Sequence, residues 1–369
     1  MIFDYTFIIV ATGCIALGVL TGITGSFAVL RKQSLLGDSI AHASLAGITL
    51  AYLLTGSNQT EILLLGALFI GLLATYIINV ISKYSRINFE SAMALIMSTF
   101  FGLGFIFLSQ IQKNPDSQAA GLERFLFGQA ATISRQDVQM VLIVLVLVII
   151  LMAGVWKEIK LYSFDPIYAH SIGLNTKFLD LVLSGFVVCG IIMGIQMVGV
   201  VLMSALIIAP PVAARQWTKS LGGMVFLSAL IGAVSGLSGT LLSTYIEQFP
   251  AGPAIVVVAS VIVFLSLLLA PQRGILSKKY TQYQVRQNYE ADMAIINLLT
   301  HRLEDMSATF TREALNQACI IEHHKHPKSF SKLFNNLKHR HMVEKVDQDL
   351  YRLSDLGILE YTQNRGEEQ

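Results

Sequence analysis

An aspartate and a histidine four residues apart, Asp38 and His42, interrupt the apolar run LLGDSIAHASLAGITLAYLL. On a helix, residues at this spacing share one face with their Cβ atoms about 5–6 Å apart. A carboxylate at the centre of a membrane helix costs about 2.5–3.5 kcal/mol on insertion scales, and pairing with a cation removes much of that penalty. One carboxylate oxygen and one imidazole nitrogen suit a borderline divalent ion such as Zn²⁺ or Mn²⁺. A site that passes an ion on must also hold it weakly enough to release it, which two ligands doubled at a symmetric interface would satisfy. The bland alternative is an early-turn acid favoured by the helix dipole beside a satisfied core histidine. Ala41, Ala43, Ala46 and Gly47 leave room beside the pair for another helix or a passing ion. Glu90 is a weaker candidate ligand, read equally as an acid at a helix start. Met193, Met197 and Met203 offer thioethers but read best as core packing.

The elements that must position these groups are membrane spans. The chain is 54% hydrophobic and only 14% charged, against about 25% charged in soluble domains. That deficit excludes a secreted, disordered or ordinary cytosolic protein. Charge is also uneven: residues 1–271 hold 12 Lys+Arg and 11 Asp+Glu, whereas residues 272–369 hold 14 and 13. The pattern predicts a membrane body over 1–271 and a soluble domain over 272–369. Nine spans are predicted, at 5–30, 36–55, 61–81, 89–111, 138–155, 178–197, 198–214, 221–246 and 251–270. The boundary near Met197 lacks a polar break, so the total is eight or nine.

Orientation follows from the short loops. With the C-terminal region in the cytoplasm, inner loops hold Arg31, Lys32, Lys83, Arg86, Lys157, Lys160, Lys177, Arg215 and Lys219. Outer loops hold only Lys113, Arg124 and Arg135. The N-terminus is therefore expected outside. The long outer stretch 112–137 carries apolar patches that predict a segment packed on the bundle mouth. Gly18/Gly22, Gly190/Gly194 and Gly232/Gly236 are GxxxG pairs that let helix backbones approach closely. Cys14, Cys189 and Cys319 show no metal or disulfide spacing.

The stretch RKQSLLGDSIAHASLAG resembles the second-span signature of the permease subunits of bacterial zinc, manganese and iron ABC importers. QMVGVVLMSALIIAPPVAARQW resembles their long central segment, ending in a small-residue and proline turn. YIEQFPAGPAIVVVAS resembles the motif opening their last span, and all three stand in family order over residues 1–271. The resemblance implies an all-α polytopic ABC importer (type II-like) permease fold. It also implies a second permease subunit, identical or different, two cytoplasmic ATPase subunits that bind the ATP, and an extracytoplasmic metal-binding protein. It carries the metal-path role onto Asp38 and His42. Ala46 stands where many members have proline. The expected setting is a bacterial cell (inner) membrane, with Mn²⁺, Zn²⁺ or Fe²⁺ as transported ion and no permanently bound cofactor.

The inner loop FDPIYAHSIGLN resembles the coupling segment of such importers. Asp165 before Pro166 marks a helix start, and Gly173 ends a helix of about two turns. Ala169 and Gly173 would let it sit close in a groove of the ATPase. The chain has no GxxxxGK[ST] phosphate loop, so it is not expected to be an enzyme and energy must come from a partner chain.

The C-terminal region predicts helices over 277–304 and 311–319, then a helix after Pro327 with Phe330, Leu333, Phe334 and Leu337 on one face. Residues 328–345 hold five Lys/Arg and one acid, Glu344. MVEKV and LYRLS are expected to pair as a hairpin across residues 347–349. LYRLSDLGILEY resembles the closing strand and helix of winged-helix metal-dependent repressors, which makes this an α+β winged-helix-like domain. A basic helix before a hairpin could touch DNA, and His323, His324 and His326 could sense metal. The near-neutral total favours a regulatory or subunit contact instead. The rival functions are a membrane-tethered metal-responsive DNA-binding regulator and an ATP-independent carrier.

Overall fold

In hydrocarbon every backbone N–H and C=O must be satisfied within the protein, so long apolar runs become helices. A computed structural model describes residues 5–113, 133–246, 249–271 and 274–283 and single positions 122, 125, 128 and 285; further on it describes 309–313, 334–335, 338–339, 341, 343–347 and 349–355. The chain divides into two compact units, Met1–Ile275 and Leu276–Gln369.

The first unit is helical throughout its described length. Its elements are α1 (Tyr5–Leu30), α2 (Leu36–Thr55), α3 (Thr60–Tyr84), α4 (Phe89–Gln112), α5 (Arg135–Gly154), α6 (Trp156–Phe164), α7 (Pro166–Ser171), α8 (Thr176–Val198), α9 (Val200–Trp217), α10 (Leu221–Tyr245) and α11 (Ala251–Leu269). Side chains of Asn88, Ser134, Asn175 and Ser220 cap the N-termini of α4, α5, α8 and α10, and Ser134 forms a capping box with Asp137. Each cap satisfies an N–H that the first turn leaves open.

Eight of these helices are long and apolar enough to cross a membrane; α2 has the length but not the apolarity. Asp38, His42 and several small polar residues lower its hydropathy. It is instead wrapped by its own chain, packing along α3 and α4 and against α8 and α9. Its Ser44 and Thr49 hydroxyls donate to backbone carbonyls one turn earlier, which removes their need for an outside partner. The predicted room beside the pair is filled: Ala41, Ala43, Ala46 and Gly47 are all buried, and Gly47 abuts the Gly66 backbone on α3.

Of the paired glycines, Gly18 and Gly232 meet each other, and Gly22 and Gly236 meet backbone on the facing helix. A Cβ at Gly18 would collide with the Gly232 carbonyl, one at Gly22 with Ser228, and one at Gly236 with Cys14, so α1 and α10 touch backbone to backbone. The Ser228 hydroxyl donates across that seam to the Gly22 carbonyl at 2.7 Å. The break expected near Met197 falls at Gly199, whose φ of 91° and ψ of 161° belong to a region that only glycine enters readily. One residue thus turns α8 into α9. The proline turn expected to end the central segment is absent. Pro210 and Pro211 are buried inside α9, which continues to Trp217. Pro211 has no N–H for the Ile207 carbonyl, and α1 packs against that carbonyl at Gly25, where a larger residue would collide. Within 112–137, Leu122 and Phe125 are buried and Gly128 abuts Val198. Helix α5 is the least enclosed span and turns Ile143, Val146 and Ile150 outward, as a lipid-facing helix would.

The second unit contains a three-stranded antiparallel sheet, with β1 (Phe310–Thr311), β2 (Val343–Lys345) and β3 (Leu350–Leu353) in the order β1-β3-β2. The expected hairpin is present, pairing Glu344 with Arg352 and Lys345 with Tyr351. Phe310, Phe334, Val343 and Tyr351 are buried, and the rings of Phe334 and Tyr351 meet edge-on at 4.8 Å. The helices that a winged helix would need, and the histidines at 323, 324 and 326, lie largely or wholly outside the described residues.

Candidate metal-passage site and coupling segment

Along residues 36–49 of α2, only Asp38 and His42 are not buried. Their one-turn spacing puts both on the single stripe of α2 that its own chain leaves open. His42 Nε2 lies 3.4 Å from Asp38 Oδ1, with side-chain exposures of 20% and 36%. His42 Nδ1 is buried and has no hydrogen-bond partner. A buried polar atom without a partner costs about 1–3 kcal/mol, so such an orphan calls for an explanation.

Two neighbours shape this pair, and neither was legible beforehand. The Phe101 ring of α4 meets the His42 imidazole edge-on at 4.7 Å and stacks in the same way on Phe105. Ser204 of α9 lies near the Asp38 carboxylate. The open face is thus bounded by α4 on one side and α9 on the other. Among the described residues no three His, Cys, Asp or Glu side chains converge on one point. The pair presents one hard oxygen and one borderline nitrogen, two donors of the kinds that divalent transition metals accept.

Glu90 does not join the pair. It is exposed in the first turn of α4, where Ser39 Oγ of α2 reaches the Met93 carbonyl at 3.4 Å. Glu90, Ala94, Met97 and Phe101 follow one stripe of α4, and eleven residues of helix rise about 16 Å. Glu90 thus sits below the pair on the same face, at the end where α2 and α4 both begin. Met197 and Met203 are buried in the core and Met193 packs against it.

The loop after α5 forms two short helices. Asp165 ends α6 and caps α7, its carboxylate accepting from the Tyr168 N–H at 2.9 Å, and Pro166 takes the first position. Ala169 is fully buried against its own chain, so what it permits is close packing of α7 on the bundle. Gly173 has a φ of 87° and open space around it; it ends the helix by conformation. The face turned away carries Ile167, Tyr168 and Ile172, exposed at 82%, 53% and 51%. Two large apolar side chains on this six-residue helix and a third at its C-cap form a small exposed knob.

A bundle of apolar helices that encloses one polar helix, with an acid–imidazole pair on its open stripe and an apolar knob on a loop, defines a polytopic membrane permease. The comparisons name its family. Residues 4–270 match the ABC 3 transport family, and the chain belongs to it. It is 43% identical over 282 residues to the zinc transport system membrane protein TroC of Treponema pallidum, covering 76% of this chain and 95% of the relative. It is 34% identical over 349 residues to the manganese transport system membrane protein MntC of Bacillus subtilis, covering 95% of this chain and 79% of that one. Among solved structures it resembles PsaBC from Streptococcus pneumoniae in complex with Fab, at a TM-score of 0.66 and 28% identity, covering 75% of this chain and 96% of that one. The chain is a multi-pass permease of an ABC transporter.

Proposed function

We propose that this protein is the permease of an ATP-driven importer that carries a divalent transition metal, manganese or zinc foremost and iron next, across a bacterial cell membrane. The observation that carries the reading is the open stripe of α2, where Asp38 and His42 stand 3.4 Å apart beside an unpartnered buried nitrogen. Metal delivered by an extracytoplasmic binding protein enters between two permease subunits. A second copy, or a close relative, brings its own acid and imidazole to the same ion and completes a four-donor set. Such a set is loose enough to let go when the path opens inward. Relatives whose names specify zinc and manganese support this choice of cargo.

ATP is bound and hydrolysed by partner chains on the cytoplasmic side, where positive loops place the C-terminal unit and Glu90 and leave the N-terminus outside. The knob of Ile167, Tyr168 and Ile172 docks into those chains and receives their motion, with Asp165, Pro166, Ala169 and Gly173 giving the knob its shape. The C-terminal unit contacts protein rather than DNA. The tip of its hairpin carries Asp347 and Asp349, and Glu344 holds Arg352 in an ion pair, so the wing offers phosphates little attraction. Uptake of manganese, zinc and iron in cells lacking their own importers tests the reading. Uptake of at least one metal, abolished by Asp38→Ala with the assembled complex intact, is the expected result. Wild-type uptake by that variant would remove the pair from the path.

A further inference from the structure

One polar cluster lies outside the metal path and outside the docking knob. Arg31, just beyond α1, is ion-paired with Asp180 of α8. The same carboxylate accepts from the Tyr162 hydroxyl of α6 at 3.3 Å and from the Asn79 amide of α3 at 3.4 Å. The Arg31 guanidinium also lies over the Tyr162 ring, 5.3 Å from its centroid. Burial, and then the Asp180 charge, raise the Tyr162 phenol above its ordinary pKa, so it keeps the proton that it donates.

Two features make this more than a structural tie. First, the cluster is where the cytoplasmic segment is fastened to the bundle. Among the described residues, the Tyr162 bond is the one side-chain hydrogen bond from α6 to a membrane helix. One turn further back along α1, Phe27 meets Trp156 edge-on at 6.4 Å, a second contact between α6 and the end of α1. Second, Arg31 stands seven residues before Asp38, and the chain between them is a bonded turn. Gln33 N–H donates to the Ala28 carbonyl at 2.9 Å and Leu36 N–H to the Gln33 carbonyl at 3.0 Å, with Lys32 at a φ of 58°. Movement of Arg31 is therefore handed to the start of α2. A cavity of about 740 Å³ with Asn79, Tyr162 and Asp180 in its wall leaves α6 space to move.

We propose that Asp180 is a positioning residue for transport: through Arg31 and Tyr162 it links displacement of α6–α7 to the start of α2, and so to Asp38 and His42. The proposal rests on the reading that α7 docks on the ATPase. A push on Ile167 and Tyr168 passes through Asp165 to α6. Tyr162 then shifts the Asp180–Arg31 pair, and the turn after Arg31 tilts the stripe that carries the metal ligands. Asn79 extends the same link to α3.

The test uses the full permease assembled with its ATPase chain in lipid vesicles, reading manganese or zinc moved per ATP hydrolysed. Asp180→Asn should keep the ATPase chain bound and hydrolysing while metal moved per ATP falls at least about tenfold, the scale of one lost hydrogen bond to a charged group. Tyr162→Phe should show a smaller fall. The exchanged pair Arg31→Asp with Asp180→Arg restores the ion pair but offers the Tyr162 hydroxyl no acceptor, so the ratio should stay below wild type, and full recovery would overturn the link through Tyr162. A wild-type ratio in both Asp180→Asn and Tyr162→Phe overturns the proposal. Should Asp180→Asn fail to assemble, Tyr162→Phe decides alone, and an unchanged ratio there overturns it. Ile167→Asp separates the two ideas: it should release the ATPase chain. If it leaves binding and transport intact, the docking reading fails whatever Asp180 does.

Discussion

Two acid–base pairs have a member in the segment from Arg31 to His42 and are treated oppositely. Asp180 is surrounded: Arg31, Tyr162 and Asn79 converge on it from three elements. Asp38 and His42 are left open, with an orphaned nitrogen and an uncovered stripe. The closed pair binds helices together, because its charges are answered inside the chain. The open pair is left for an outside partner, which on the proposed function is an ion held with a second subunit, so it should add little to the stability of this chain.

The largest expected effect breaks the open pair. Asp38→Ala and His42→Ala should each lower metal uptake by more than about 100-fold, beyond the 10–100-fold that loss of an outer-shell partner carries. Thermal stability of the isolated permease should hold, since Asp38 stands partly exposed in the first turn of α2 with only His42 close to it among the described charged groups. Uptake assays and melting in detergent read the two effects separately. Arg31→Ala should instead lower stability by about 1–3 kcal/mol because Asp180 is left half-buried without its cation. A melting point that dropped for Asp38→Ala and held for Arg31→Ala would invert the comparison.

Smaller effects sharpen it. Phe101→Ala frees the His42 ring from an edge-on contact worth about 0.5–1.5 kcal/mol. Uptake should weaken by roughly 2–10-fold, chiefly as a higher half-saturating metal concentration. Ser204→Ala removes one hydroxyl near Asp38 and should reduce uptake by about 2–5-fold, in line with about 1 kcal/mol for a hydrogen bond. A Ser204→Ala effect as large as that of Asp38→Ala would make the hydroxyl a ligand in its own right.

Much of this was readable beforehand because it is local. The i,i+4 spacing announced that Asp38 and His42 share a face, and Asp165-Pro166 announced the start of α7. The glycine pairs at 18/22 and 232/236 signalled close helix contact. What they contacted was not readable, since the partners are more than two hundred residues apart in sequence. The prolines at 210 and 211 suggested a turn, but α1 packs over the carbonyl that Pro211 leaves unbonded and the helix runs on. Phe101 and Ser204 looked like ordinary span residues; only the approach of α4 and α9 to α2 gives them a role.

Residue order by itself determined that this chain lives in lipid, where its helices begin, and which two ionisable groups stand one turn apart. Periodicity, capping and hydropathy act over a few residues and need no fold. Tertiary packing decided that α2 is enclosed, that its acid and imidazole face the one uncovered stripe, and that Asp180 gathers groups from Arg31 to Tyr162. Those outcomes depend on which distant helices can approach closely, and close approach is settled by three-dimensional fit.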